Sequence, residues 1–172
     1  MRAAADFLNR LPALAAATGP PTVITCGRIA VAPGGANVVP RLAELSLDFR
    51  DPSRGNLDVL RRRLEDEARA VAAAHEVDLE WKAQPMVHPV PMDESIRKTI
   101  SAAADALGLR RIDMPSGAGH DAQNMAHLAP TAMIFIPSKD GRSHSPAEHT
   151  DFAAIEHGAN VLLATLIQLA ST

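Results

Sequence analysis

A cluster of prolines near the middle of the chain limits its folding more than any other sequence feature. Pro85, Pro89 and Pro91 all fall within residues 84–91. Proline has no backbone N–H and fixes φ, so such a cluster cannot lie inside a helix or a paired strand. It is typical of a connection between domains. We therefore expect two domains, residues 1–86 and residues 87–172.

The first segment predicts the order helix, strand, strand, helix, strand. The clearest strand is 43–50, where Ala43, Leu45, Leu47 and Phe49 alternate with polar residues. The other predictions are an alanine-rich helix over 3–17 that Pro12 kinks or ends, a β-branched strand over 22–31, a helix over 57–75 with Asn56 as its N-cap, and a strand over 77–82. This order indicates an α+β layer of the ferredoxin-like βαββαβ type in which the leading strand is absent.

The second segment predicts two helices around a histidine-rich stretch, Met114 to Thr150. The helices are expected over 93–107 and 152–169, the latter with Ile155, Leu162, Leu166 and Leu169 on one face. A short apolar run, 132–136, lies between Pro130 and Pro137 and predicts a buried strand. The whole chain is therefore expected to be an α/β protein.

Composition excludes several classes of protein. With 172 residues, a formal charge of −3, 3% aromatic residues and no tyrosine, the chain has neither the positive charge nor the stacking side chains of a nucleic-acid binder. No apolar run approaches the roughly 20 residues that span a bilayer, so we expect no membrane partner. Cys26 is the single cysteine, which favours a reducing compartment, and the cytoplasm is the expected location.

Gly119 lies in a glycine turn, Ser116 to Asp121, that leads into a short predicted helix. A glycine at this position lets the backbone approach a ligand closely. The alternative is an ordinary turn in which His120 caps or packs against the helix, and the residues alone leave both interpretations open.

His144 and Glu148 form the second candidate site. Imidazole is the commonest transition-metal ligand, and a nearby carboxylate can orient it. Zinc needs three or four ligands, however, and the stretch has no HExxH or CxxC spacing. Arg50 is a third candidate. It shares the polar face of its strand with Asp48, and the alternative role is a simple salt bridge across the sheet.

Three motifs taken together resemble a known family. They are CGRIAVAPGGANVVPRLAELSLDFRDP, SGAGHDA and PTAMIFIPSKDGRSHSPAEHT, followed by a closing helix. They resemble the C-terminal portion of the M20 superfamily of metal-dependent amidohydrolases, in the branch of N-carbamoyl-L-amino-acid hydrolases, allantoate amidohydrolases and β-ureidopropionases. The resemblance implies a lid or dimerisation domain over 1–86 and the C-terminal part of a catalytic domain over 87–172. It also implies a two-metal centre of zinc or manganese in the complete enzyme.

The resemblance assigns roles to four residues. Asn37 and Arg50 are expected to hold the substrate carboxylate, Gly119 to contact substrate through its backbone, and His144 to ligate one metal ion. It identifies no catalytic residue here, because the family's catalytic Glu and other metal ligands lie in an N-terminal segment absent from these residues.

We therefore expect little or no hydrolysis by this chain alone. The expected partners are a small carboxylate-bearing substrate and either a second copy, paired through the lid, or the missing N-terminal part. The alternative is a non-catalytic dimerisation or carboxylate-binding module.

Overall fold

The computed structural model describes residues 1–171, which divide into two compact units, Met1–Pro89 and the described residues from Val90 onward. The first unit contains helix α1 (Arg2–Thr18), strands β1 (Val23–Ala32) and β2 (Leu42–Arg50), and helix α2 (Arg54–Ala74). The second contains helices α3 (Glu94–Ala106), α4 (Ala122–Met125) and α5 (Phe152–Ala170), with a short 3₁₀ helix at Lys139–Gly141. Helices with a small sheet give the mixed α and β composition that the sequence predicts.

The core of the first unit lies between its two helices. Phe7 and Leu11 of α1 are buried against α2, whose Leu60 and Leu64 have no exposed surface. These α2 residues recur at helical spacing, which confirms the predicted inward face. The helix α1 continues through Pro12, so of the two effects expected of this proline, a kink or an end, the end is excluded.

The N-cap of α2 is Ser53 rather than Asn56. The Ser53 side chain accepts a hydrogen bond from the backbone N of Asn56 at 3.3 Å. The predicted Asn56 cap is therefore wrong, because the helix begins one turn earlier with Arg54. The serine hydroxyl satisfies one of the N–H groups that the first turn leaves without a helical partner.

Strands β1 and β2 form an antiparallel pair whose register runs from Val23 opposite Arg50 to Ala32 opposite Leu42. Along β2 the alternation is confirmed, since every second residue from Ala43 to Phe49 is half-buried and the others are exposed. A β-bulge at Gly27 interrupts the register between Cys26 and Arg28. One extra residue reverses the alternation, so residues beyond the bulge face the opposite side from the one that uninterrupted counting predicts.

Two predicted strands are not strands in the structure. Residues 77–82 and 132–136 form no ladder with any other part of residues 1–171. Both predictions are therefore wrong as secondary structure. Alternation and apolar runs report which side chains are buried, whereas a strand also needs a hydrogen-bonded neighbour. Trp81 and Ile134 nevertheless pack against the cores of their respective units.

The second unit is built on the packing of α3 against α5. Ala103 and Ala104 of α3 and Val161 of α5 form a buried apolar cluster. Gly158 lets α5 approach residue Ile136 so closely that an added Cβ would lie 2.5 Å from the Ile136 Cγ2 atom. Small residues on α3 and α5 therefore allow close packing in the second unit.

The apolar face predicted for α5 is exposed in the structure. Leu162 is 50% exposed and Leu166 is 55% exposed, whereas Val161 and Thr165 are buried. The predicted apolar face of α5 exists, but a different face of the helix packs against the described residues. By length and composition alone α5 could cross a membrane, a property that it shares with core helices of water-soluble proteins.

Candidate substrate-binding and metal-binding residues

Arg50 ends β2 with its guanidinium directed at a neighbouring carboxylate. Its Nε lies 2.7 Å from Asp48 Oδ1, and a terminal nitrogen lies 3.0 Å from Asp48 Oδ2. Both side chains are more than half exposed. The hydrogen bonds from Arg50 lower the pKa of Asp48, and the same bonds raise the pKa of Arg50. This salt bridge joins two residues of the same strand, whereas the sequence predicted one across the sheet. It presents a charged, oriented guanidinium at the end of the strand.

Asp51, next to Arg50, was not identified from the sequence. It is a buried charged residue, and its carboxylate accepts hydrogen bonds from Thr22 Oγ1 at 2.6 Å and from the backbone N of Ser53 at 2.7 Å. Asn56 Nδ2 donates to both carboxylate oxygens at 3.2 Å. Burial raises the pKa of Asp51, but these hydrogen bonds outweigh it and the net pKa is lowered.

The Asp51 carboxylate connects the start of β1, the end of β2 and the start of α2 at one point. It therefore fixes the backbone from which Arg50 projects. The signal in the sequence was the spacing Asp51, Ser53, Asn56, in which short polar side chains bond to nearby backbone and to one another.

Asn37 lies at the other end of the hairpin from Arg50. It is exposed in the connection between β1 and β2, which the hydrogen bond from Arg41 N to Ala32 O closes at 2.9 Å. Arg50 pairs with Val23 at the far end of the ladder. The eight residue steps from Leu42 to Arg50 span about 26 Å at the usual rise of a strand. One hairpin cannot bring both side chains to one carboxylate.

Gly119 precedes α4, where the capping alternative is observed. His120 Nδ1 accepts a hydrogen bond from the backbone N of Ala122 at 3.0 Å, so the imidazole caps the short helix. The nearest atom to an added Cβ on Gly119 is Gln123 Oε1 at 3.6 Å. Space within residues 1–171 therefore does not require glycine at this position.

His144 is exposed and has a positive φ of 56°, which is uncommon for a residue with a side chain. Its backbone N donates to Glu148 Oε2 at 3.0 Å, so the carboxylate holds the main chain of His144. His149 pairs instead with Asp151 at 3.4 Å. No group of three or more His, Cys, Asp or Glu side chains within residues 1–171 could hold a metal ion. The donor set of these residues therefore does not form a metal centre by itself.

Comparisons with known proteins identify a class of hydrolases. The allantoate amidohydrolase of Escherichia coli strain K12 is 36% identical over 152 residues, which are 88% of this chain and 37% of that enzyme. The N-carbamoyl-L-amino acid amidohydrolase of Geobacillus stearothermophilus is 36% identical over 170 residues, or 99% of this chain and 41% of that enzyme. A solved hydantoinase/carbamoylase family amidase from Burkholderia multivorans matches 96% of this chain and 40% of its own, with a TM-score of 0.90 and 31% identity.

Residues 3–168 match the family model of peptidase family M20/M25/M40. The chain belongs to this family, which confirms the resemblance read from its motifs. It spans about two fifths of the length of the enzymes that it matches.

Proposed function

We propose that this chain is the substrate-carboxylate-binding part of a metal-dependent hydrolase of linear amides, with N-carbamoyl or ureido amino acids as the substrate class. The observation that carries the proposal is the match of residues 3–168 to peptidase family M20/M25/M40. The chain spans 37–41% of the length of two amidohydrolases that it matches. In this proposal the chain does not hydrolyse its substrate alone, since no catalytic residue is assigned to it.

Arg50 supplies the main recognition of the substrate carboxylate. A planar, permanently charged guanidinium matches a carboxylate with two parallel hydrogen bonds. Asp48 already orients it, so an incoming carboxylate competes with or shares that contact. Gly119 is proposed to contact the substrate through its backbone.

Asn37 acts in this proposal on the substrate of a second copy of the chain. Its position at the opposite end of the hairpin from Arg50 supports this arrangement, because two-fold pairing can bring Asn37 of one copy towards Arg50 of the other. A homodimer through residues 1–86 is therefore part of the proposal.

His144 is proposed as one ligand of a zinc or manganese centre whose other ligands come from outside residues 1–171. Zinc or manganese, when bound in such a centre, lowers the pKa of a bound water and polarises the amide carbonyl. The hydrogen bond from the His144 backbone N to Glu148 Oε2 fixes the main chain that carries the imidazole.

The test is an assay of the purified chain for both hydrolysis and binding. With zinc or manganese present, we expect no release of free amino acid from an N-carbamoyl-L-amino acid above the buffer rate. Calorimetry is expected to show weak binding of the same compound that Arg50→Ala abolishes. The matched control is Arg28→Ala, which removes another exposed, carboxylate-paired arginine of the same hairpin. Turnover by the pure chain would contradict the proposal, and equal effects of the two variants would leave only the dimerisation module.

A further inference from the structure

Arg50 lies at the end of the β1–β2 hairpin that is farthest from the connecting turn. The register ends with Val23 opposite Arg50, whereas the turn joins Ala32 to Leu42. Strand ends that no turn holds together separate more easily than the rest of a ladder. Binding a carboxylate through two parallel hydrogen bonds requires the guanidinium to keep one direction. Carboxylate binding at Arg50 therefore depends on a contact that holds this open end closed.

One side-chain hydrogen bond joins the two strands just beyond their last pair. Thr22 precedes Val23 and Asp51 follows Arg50, so they are the next residues at the open end. Thr22 Oγ1 donates to Asp51 Oδ2 at 2.6 Å, a length typical of a hydroxyl that donates to an ionised carboxylate. This contact, the Thr22–Asp51 clamp, therefore extends the pairing of the hairpin by one residue on each strand.

The start of α2 holds Asp51 from the other side. The backbone N of Ser53 donates to Asp51 Oδ1 at 2.7 Å, and Asn56 Nδ2 donates to both carboxylate oxygens at 3.2 Å. Asp51 is buried and Thr22 is half-buried, so water competes only weakly for the bond between them. Among the described residues, Thr22 is the donor that joins Asp51 to the β1 side of the hairpin.

The clamp and the exposed guanidinium lie on opposite sides of the hairpin. Arg50 bonds to Asp48, and both side chains are more than half exposed. The Asp51 carboxylate is directed instead towards the first turn of α2, where Asn56 lies. Thr22 can therefore act on Arg50 through the backbone without occupying the space that a bound carboxylate needs.

We propose that Thr22 is a positioning residue for Arg50. Its hydroxyl, acting through Asp51, keeps the end of β2 paired with β1 and thereby fixes the direction from which Arg50 reaches a carboxylate. Thr22 itself contacts no substrate in this arrangement, and it lies outside the three motifs that resemble the family. The inference rests on the proposed function only for the carboxylate that Arg50 binds.

The experiment is an NMR titration of the full chain with an N-carbamoyl-L-amino acid, followed at the Arg50 side chain. Thr22→Val keeps the shape of the side chain and removes the donor. We expect the dissociation constant to rise about threefold, since part of the energy of one hydrogen bond is lost. Amide exchange should become faster over 49–51 and stay unchanged over 42–45, near the turn.

Two further variants show whether the hydroxyl is responsible. Thr22→Ser restores a donor and should bind as tightly as the unaltered chain. Thr25→Val is the matched control, because it makes the same change at an exposed position of β1, opposite Asp48. An unchanged dissociation constant in Thr22→Val, an equal rise in Thr25→Val, or binding by Thr22→Ser as weak as that of Thr22→Val would overturn the inference.

A double variant separates positioning from a purely structural role. If Thr22 acts through Asp51, adding Thr22→Val to Asp51→Ala should weaken binding no further, because the acceptor is already absent. Independent effects of the two changes would multiply, and that result would contradict the clamp. Lower stability to urea in Thr22→Val with unchanged binding would show a structural role alone.

The same titration distinguishes this inference from the proposed function. No binding by the unaltered chain would refute the proposed function, and the positioning of Arg50 would then be decided by NMR relaxation of its Nε–H group. Thr22→Val should still make that group more mobile. An equally ordered Arg50 side chain in the two proteins would overturn the inference.

Discussion

At the scale of single residues, two polar groups at the C-terminal end of β2 are central to the candidate binding site and to the stability of the first unit. Arg50 and Asp51 are adjacent in sequence but differ in environment, one exposed and paired with Asp48, the other buried among three donor residues. The sequence identified Arg50 through its motif and missed Asp51, because a buried carboxylate cannot be told from a turn residue without knowing what surrounds it. The sequence identified Asn37 too, but only the strand register in the structure shows that it lies at the far end of the hairpin from Arg50.

Replacing Asp48 is expected to strengthen carboxylate binding at Arg50. Asp48→Asn removes the charge that competes for the guanidinium, and a surface pair of this kind is worth enough to change affinity roughly threefold. The measurement is an NMR titration of the Arg50 side chain with an N-carbamoyl-L-amino acid. Glu44→Gln, which removes the partner of Arg28 on the same hairpin, is the control. An unchanged or weaker affinity in Asp48→Asn would show that Asp48 orients Arg50 more than it competes.

Removing the Asp51 carboxylate is expected to destabilise the first unit. Asp51→Ala leaves the donors of Thr22, Ser53 and Asn56 without their acceptor, at a cost of about 2 kcal/mol in the free energy of unfolding. Urea denaturation at pH 7 measures this change. Asp66→Ala, an exposed position on α2, should change the same free energy by less than about 0.5 kcal/mol.

The pH dependence of stability is a second test of the role of Asp51. The pKa of Asp51 is lower in the folded state, so the stability from its ionised form is present above the unfolded pKa of about 3.9. It is lost as the pH falls through the folded pKa. The difference in stability between the protein and Asp51→Ala should therefore shrink below about pH 4. A constant difference down to pH 2 would exclude this role.

At the scale of elements, helices were predicted better than strands. All four long helices that the sequence predicts, α1, α2, α3 and α5, lie within a few residues of their expected ranges. A helix satisfies its own backbone, so local periodicity is sufficient to predict it. Both strands of the β1–β2 hairpin were also predicted to within a residue or two, and they pair in the structure because they lie close together in sequence. The runs 77–82 and 132–136 failed because the structure offers them no partner within residues 1–171.

Gly158 sets how closely α5 approaches residue Ile136. Gly158→Ala should destabilise the second unit by about 1–2 kcal/mol, because a contact at 2.5 Å outweighs the gain in helix propensity of roughly 1 kcal/mol. Thermal unfolding followed by circular dichroism measures it. Combining the change with Ile136→Val should not relieve the clash, because valine retains a Cγ2, whereas Ile136→Ala should restore part of the loss. A stabilised Gly158→Ala protein would place Ile136 away from α5.

At the scale of the whole molecule, the chain has two cores but no complete metal centre among its described residues. After loading with zinc and dialysis, we expect well below one tightly held ion per chain, since His144 alone cannot hold zinc against exchange. Metal analysis of the dialysed protein measures this. His144→Ala should retain the same small amount. One or more retained ions would mean that His144 has partners such as His120, Glu148 or His149.

The bulge at Gly27 has a consequence for how this protein family can change over time. Ile24 and Cys26 face the helices before the bulge, and Arg28 then pairs across the outer face with Glu44. An added Cβ at Gly27 would meet only Ser46 Oγ at 4.0 Å, so the identity of this residue is nearly unconstrained. The presence of a residue at this position, in contrast, is strongly constrained. Deleting one residue here would turn Arg28 towards the core and Ile29 away from it. Among homologues, position 27 should therefore tolerate many amino acids and very few gaps.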